Sequence, residues 1–229
     1  MLRMLPLVMA WALSTAVASH GQKAGERPAA LPENLNLADR PVDELLSAAE
    51  KLLEEGAPNQ AVPLIDAVLR REPGHPRALV LVGEFNEATG ELDAARDKYL
   101  QALRVDRNNF RACLGLGRLF VAADNLDLVQ QALLYLEQAS RLAPQNRRAE
   151  VIALLARAYM RQGSRSLAVQ TAEQATELDP NNFEALQTLV SARTDLRQFE
   201  RADEDAQRLV ELASRLERER PDDPVSVSR

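Results

Sequence analysis

Residues 149–182 read AEVIALLARAYMRQGSRSLAVQTAEQATELDPNN: a helical run, a turn at Gly163, a second helical run and a stop at Pro180. The same frame recurs along the chain. Ala168 has counterparts at Ala61, Ala95, Ala132 and Ala202, the five being spaced 34, 37, 36 and 34 residues apart. Ala49, Gly83, Gly117, Ala156 and Val190 form a second column, and Val68, Ala102, Ala139, Ala175 and Leu209 a third. A period near 34 with a small residue at fixed phase marks one helix–turn–helix unit copied in tandem. The residue is small because two helices cross closest there. The spacing predicts three extra residues in the connection of the third unit, near Ala122 to Asp127, and two more, Arg147 and Arg148, ahead of the fourth.

The punctuation follows the same frame. Pro73, Pro144 and Pro180 close successive units, where proline ends a second helix. Arg107 takes that place in the second unit, with Asn108 and Asn109 supplying the turn. Gly56, Gly90 and Gly163 fall at the midpoint turns, where left-handed backbone is expected. Asp124 and Arg197 stand nearby in the third and fifth units.

With Leu155, Ala156, Tyr159, Gly163, Ala168, Ala175 and Pro180 in the fourth unit, and Gly83, Gly90, Ala95, Tyr99 and Ala102 in the second, the chain resembles the tetratricopeptide repeat family. The resemblance covers roughly residues 42 to 214. It implies an all-α, right-handed superhelical solenoid of about five repeats, at about 42–75, 76–109, 110–146, 149–182 and 183–220. The aromatic that opens the family's first helix is replaced by Leu45, Leu79, Cys113, Ile152 and Leu186. Arg193 stands where the fifth unit should carry an aromatic, so that unit reads as degenerate or as a cap. The last helix runs on to about Arg220 with Ala202, Ala206, Leu209, Ala213 and Leu216 on one face. Glu204, Arg208, Glu211, Arg215 and Arg218 occupy the other, as a terminal capping helix requires.

The ends read differently. Arg3 followed by the uncharged stretch Leu5 to Ala18, ending Ala16-Val17-Ala18, is the pattern of a secretory signal over residues 1–18. Export to a periplasmic or extracellular space follows, with no stable membrane insertion after cleavage; an uncleaved anchor is the alternative. Residues 19–40 read as a flexible linker, 41–220 as the repeat domain and 221–229 as a disordered tail. The single cysteine, Cys113, lies on an apolar helix side and reads as a buried, inert thiol.

Hydrophobic residues make up 46% of the chain and aromatics 4%, so the core rests on Leu, Ala and Val. The formal charge of −6, with signs interleaved and no basic run carrying aromatic platforms, argues against nucleic acid. His20 and His75 are the only histidines, and neither has the company a triad or metal site needs. No strand and no glycine-rich phosphate loop is expected. The reading is a non-enzyme with no cofactor and no metal.

In the family, the second, fifth, ninth, twelfth and thirteenth positions of each first helix line a concave groove. By that resemblance the groove here presents Glu50, then Glu84 and Glu87, then Arg111, Leu114, Arg118 and Val121, then Arg157, Met160 and Arg161. It would be acidic at its amino-terminal end and basic in the middle, with an apolar strip of Leu46, Leu53, Val80, Leu114, Val121 and Met160. That polarity suits a protein or peptide partner with acidic and apolar residues, gripped by the four arginines. The opposing reading is that these arginines pair with neighbouring carboxylates. Glu84, Arg118 and Leu81 replace the polar clamp of members that hold chaperone tails. An exported adaptor is therefore one functional class, serving an envelope or secretion assembly. A structural spacer or self-associating scaffold is the other; the oligomeric state stays open.

Overall fold

The computed structural model describes residues 37, 39–123 and 125–219. The expected signal, most of the linker, Asp124, Arg220 and the tail 221–229 lie outside the described residues. The chain divides into two compact units, the second beginning at Val68. Ten α-helices account for most of the described residues, and none of these residues is in a strand.

The first unit holds α1 (Val42–Glu54) and most of α2 (Pro58–Arg71). Leu45, Leu46 and Ala49 are buried on α1, Ala61, Leu64 and Ile65 on α2. Between the helices Gly56, at φ 72°, closes the first one, with its N–H on Leu53 O and the Ala57 N–H on Leu52 O.

The second unit runs through α3 (Pro76–Ala88), α4 (Leu92–Val105), α5 (Phe110–Ala122) and α6 (Leu126–Leu142). A 3₁₀ turn at Gln145–Arg147 leads into α7 (Arg148–Gln162), α8 (Arg165–Leu178), α9 (Phe183–Asp195) and α10 (Phe199–Glu219). Each helix packs on the next. The first helices α3, α5, α7 and α9 also touch in series, whereas no pair among α4, α6, α8 and α10 is in contact. The first helices are therefore the closely packed layer and the second helices the splayed one.

Local chemistry explains the joints. In the turns after α4 and α8, Asp106 and Asp179 accept from the N–H of Asn108 and Asn181, each at 3.0 Å. Asn109 and Asn182 then cap α5 and α9 by accepting from Ala112 N and Ala185 N. Gly90 and Gly163 have φ of 84° and 89°, as expected, and Arg197 takes the same left-handed conformation at 59°.

The extra residues of the third unit are placed otherwise than the spacing suggested. The connection between α5 and α6 is no longer than the others; α6 itself has 17 residues against 14 in α4 and α8. Asn125 accepts from the N–H of Asp127 and Leu128, so the segment starts a helix early instead of looping.

Packing follows complementary volumes. Tyr99 is fully buried with its ring between two glycines: a Cβ on Gly83 would lie 2.5 Å from the ring, one on Gly115 2.6 Å. A Cβ on Gly117 would lie 2.4 Å from Leu136. In the fourth unit both partners are alanines, Ala156 and Ala172, in one cluster with Ala153, Ala175, Ala185 and Leu189. Where the second helix supplies a large side chain, the first supplies none.

The first-helix face as candidate functional site

The four arginines stand on or beside the first-helix layer, and three pair with carboxylates across it. Arg111 forks Glu84, Nε to Oε1 at 3.0 Å and Nη2 to Oε2 at 2.6 Å. Arg118 does the same to Glu87, with both bonds at 2.8 Å. Arg157 meets Glu184 at 2.7 Å. Arg161, on an exposed stretch, donates to Ala123 O at 2.7 Å, tying the end of α7 to the end of α5. Glu87 also accepts from the Tyr99 hydroxyl at 2.9 Å, which joins the buried ring to the charged layer.

Two of these pairs obey one register, whereas Arg118 and Glu87 join position nine of α5 to position twelve of α3. The ninth position of a first helix faces the second position of the next: Glu84 with Arg111, Arg157 with Glu184. Glu150, at the second position of α7 counted from Ala149, acts electrostatically on Arg118 in the same sense and is itself forked by Arg147. Reading those positions helix by helix hides the rule. Comparing position nine of one unit with position two of the next reveals it from sequence, since the signs are opposite at each step.

Burial shapes the acids. Desolvation raises the pKa of Glu84 above the ordinary carboxylate value, the neighbouring Arg111 only partly opposing it. The same holds for Glu184, where Arg157 opposes and Glu150 reinforces the rise. Such half-buried pairs fix side-chain direction more than they add stability.

Two expectations are corrected. Leu114 and Val121 do not line a surface: they are 2% and 1% exposed and belong to the core, as do Leu46 and Val80. Within the second unit α5 packs against α6 and against α3 and α7, so a wider apolar arc is covered around Leu114 and Val121 than in an isolated hairpin. Met160 remains half-buried. The basic middle is matched by Glu84, Glu87, Glu150 and Glu184, leaving a face of alternating sign. Glu50 sits half-buried on α1 of the first unit.

Arg193 is the third point of interest. It is 8% exposed and binds Asp205 of α10 and Glu173 of α8 at once. The aromatic of other units is thus replaced by a buried ion-paired junction that anchors the last helix. Cys113 is fully buried, and burial pushes its thiol up to about 11, with Asp106 adding to the rise. Among the described residues no helix is long and apolar enough to cross a membrane.

Comparison with known proteins agrees with this architecture. A profile of the tetratricopeptide repeat family matches residues 52–97 and 128–193. The human FK506-binding protein-like is 37% identical over 82 residues, 36% of this chain but only 23% of that protein. The chain thus spans about a quarter of that relative's length. The structure of MamA residues 41 to the end from Desulfovibrio magneticus RS-1 superposes with a TM-score of 0.62 at 21% identity, covering 76% of this chain and 95% of that one. Pseudomonas aeruginosa PilF gives 0.65 at 19% identity, covering 74% and 75%. At such identities the likeness concerns the fold. Period, turn chemistry, helix layering and profile all agree, and the chain belongs to the tetratricopeptide repeat family as an all-α solenoid protein.

Proposed function

We propose that the protein is a non-catalytic adaptor that holds a peptide or helix of a partner protein on its first-helix face. The family and the fold support an interaction role in general. One observation carries the finer reading: charges of both signs on α3, α5, α7 and α9 are held in fixed directions by reciprocal pairs. Such a face presents oriented hydrogen-bonding groups at the spacing of adjacent helices without ordering cost at the moment of binding. A partner segment would exchange its own charges into this ladder, acidic groups meeting Arg157 and Arg161. The proposed setting is an envelope or secretion assembly outside the cytoplasm, supported by the signal-like first 18 residues.

The test is capture of partners from a host envelope extract by immobilised protein and by an Arg118→Glu/Arg157→Glu variant, each checked by circular dichroism. Loss of capture with the fold retained supports the adaptor. Unchanged capture, or self-association as the sole interaction, supports the spacer reading. Targeting has its own check. Trp11 is the only tryptophan, so the exported protein should show tyrosine but no indole emission, and indole emission would overturn cleavage.

A further inference from the structure

Glu84, Glu87 and Glu184 are paired across the first-helix layer, and they are held unequally. Glu87 accepts three hydrogen bonds, two from Arg118 and one from the Tyr99 hydroxyl. Glu84 accepts two, both from Arg111. Glu184 has Arg157 Nη1 at 2.7 Å from Oε1, yet that buried oxygen receives no aligned hydrogen bond from the described residues. It is the least secured of the three. It is also the deeper member of its pair, with its side chain 28% exposed against 39% for Arg157. The longer guanidinium arm can therefore turn to water more readily than the carboxylate.

The surroundings decide what a proton would do there. α9 packs on α7, α8 and α10. Burial disfavours the charge on Glu184; Arg157 of α7 favours it, Glu150 of α7 opposes it, and Arg118 of α5 adds a weaker pull. The acids of the other two helices are turned elsewhere, Glu173 of α8 and Asp205 of α10 both to Arg193, while Arg208 of α10 reaches Pro180 O. Burial prevails, and the Glu184 pKa stands above the ordinary carboxylate value. A proton taken up there leaves a neutral acid in a half-buried seat and removes the counter-charge of Arg157. Glu87, with its third donor, keeps Arg118 engaged.

We infer that the α7–α9 pair is an acid-operated switch on the first-helix face: protonation of Glu184 releases Arg157, which joins Arg161 one turn away to hold an acidic partner segment more tightly. Arg157 and Arg161 are four residues apart and so share a face of α7. Affinity for an acidic segment is then lowest at neutral pH, where Glu184 competes for Arg157, and rises as pH falls through the raised Glu184 value. The switch acts on the face proposed above as the partner's seat, and so rests on that reading.

The experiment uses the full chain and a rhodamine-labelled peptide of leucine and cysteic acid, whose sulfonates stay ionised throughout. Fluorescence anisotropy should show affinity rising about fivefold from pH 7.5 to pH 5. Glu184→Gln, which keeps both histidines and every other acid, should bind at pH 7.5 as the wild type does at pH 5 and lose most of the change. Arg157→Gln should bind weakly and show no gain in acid. Circular dichroism melting curves at each pH confirm that all three proteins are folded. An equal gain in Glu184→Gln overturns the switch. So does a wild-type affinity that stays flat while Arg157→Gln weakens it, a result that keeps the face as the seat and removes only its regulation. Absence of binding at every pH, or binding that Arg157→Gln leaves unchanged, removes the seat itself and the switch with it.

Discussion

At the scale of the residue, the informative side chains are those that break a local rule. Arg197 stands in left-handed backbone where Gly56, Gly90 and Gly163 do so at little cost. An L-residue there is strained by roughly 1–2 kcal/mol, part of which glycine returns to the unfolded chain as entropy. Arg197→Gly should therefore stabilise the protein by about 1 kcal/mol in urea unfolding; destabilisation would show that the Arg197 side chain contributes more than its backbone costs. Glu184 offers a second test, through pH. Desolvation raises its pKa in the folded state, so the folded protein binds this proton more tightly than the unfolded chain. The burden of the charged form is then full at neutral pH and fades as pH falls through the raised value. Glu184→Gln lacks this term, so its Tm minus that of the wild type should fall between pH 7 and pH 4.5. A difference that rises would mean that Arg157 dominates and holds the pKa down. Arg197 could be anticipated from its place in the repeat, whereas the raised Glu184 required knowing which helix covers it.

Between elements, the close approach of first and second helices rests on matched volumes. Gly117→Ala should cost about 1–3 kcal/mol by overpacking Leu136, and Leu136→Ala about 2–5 kcal/mol by opening a cavity. The double variant recreates the Ala156 and Ala172 pairing of the fourth unit, so its loss should be clearly smaller than the sum; additive losses in a thermodynamic cycle would contradict the match. The columns of small residues made the helices and their pairing legible, because volume at a crossing is a local property of one position. The third unit was less legible. Three inserted residues keep phase equally well in a loop or in a longer helix, and only the Asn125 cap decides for α6. The repeat frame marks Arg193 as anomalous but does not reveal the junction, since Asp205 and Glu173 become its neighbours only once α8, α9 and α10 are packed.

For the whole molecule, the second unit offers two faces of different character. The first-helix layer carries the reciprocal pairs, and the splayed second helices expose isolated apolar side chains such as Leu134, 66% exposed on α6. The sequence placed the arginines on the right helices yet overstated the apolar strip, because burial of Leu114 and Val121 comes from neighbouring repeats that no single repeat reveals. The proposed function puts the partner on the first-helix layer. Its most direct test is photocrosslinking from benzoylphenylalanine placed at exposed Ala122, beside the Arg161 contact, or at Leu134. In the native host, a discrete protein adduct is predicted from position 122 and none from position 134. An adduct confined to position 134 would contradict it.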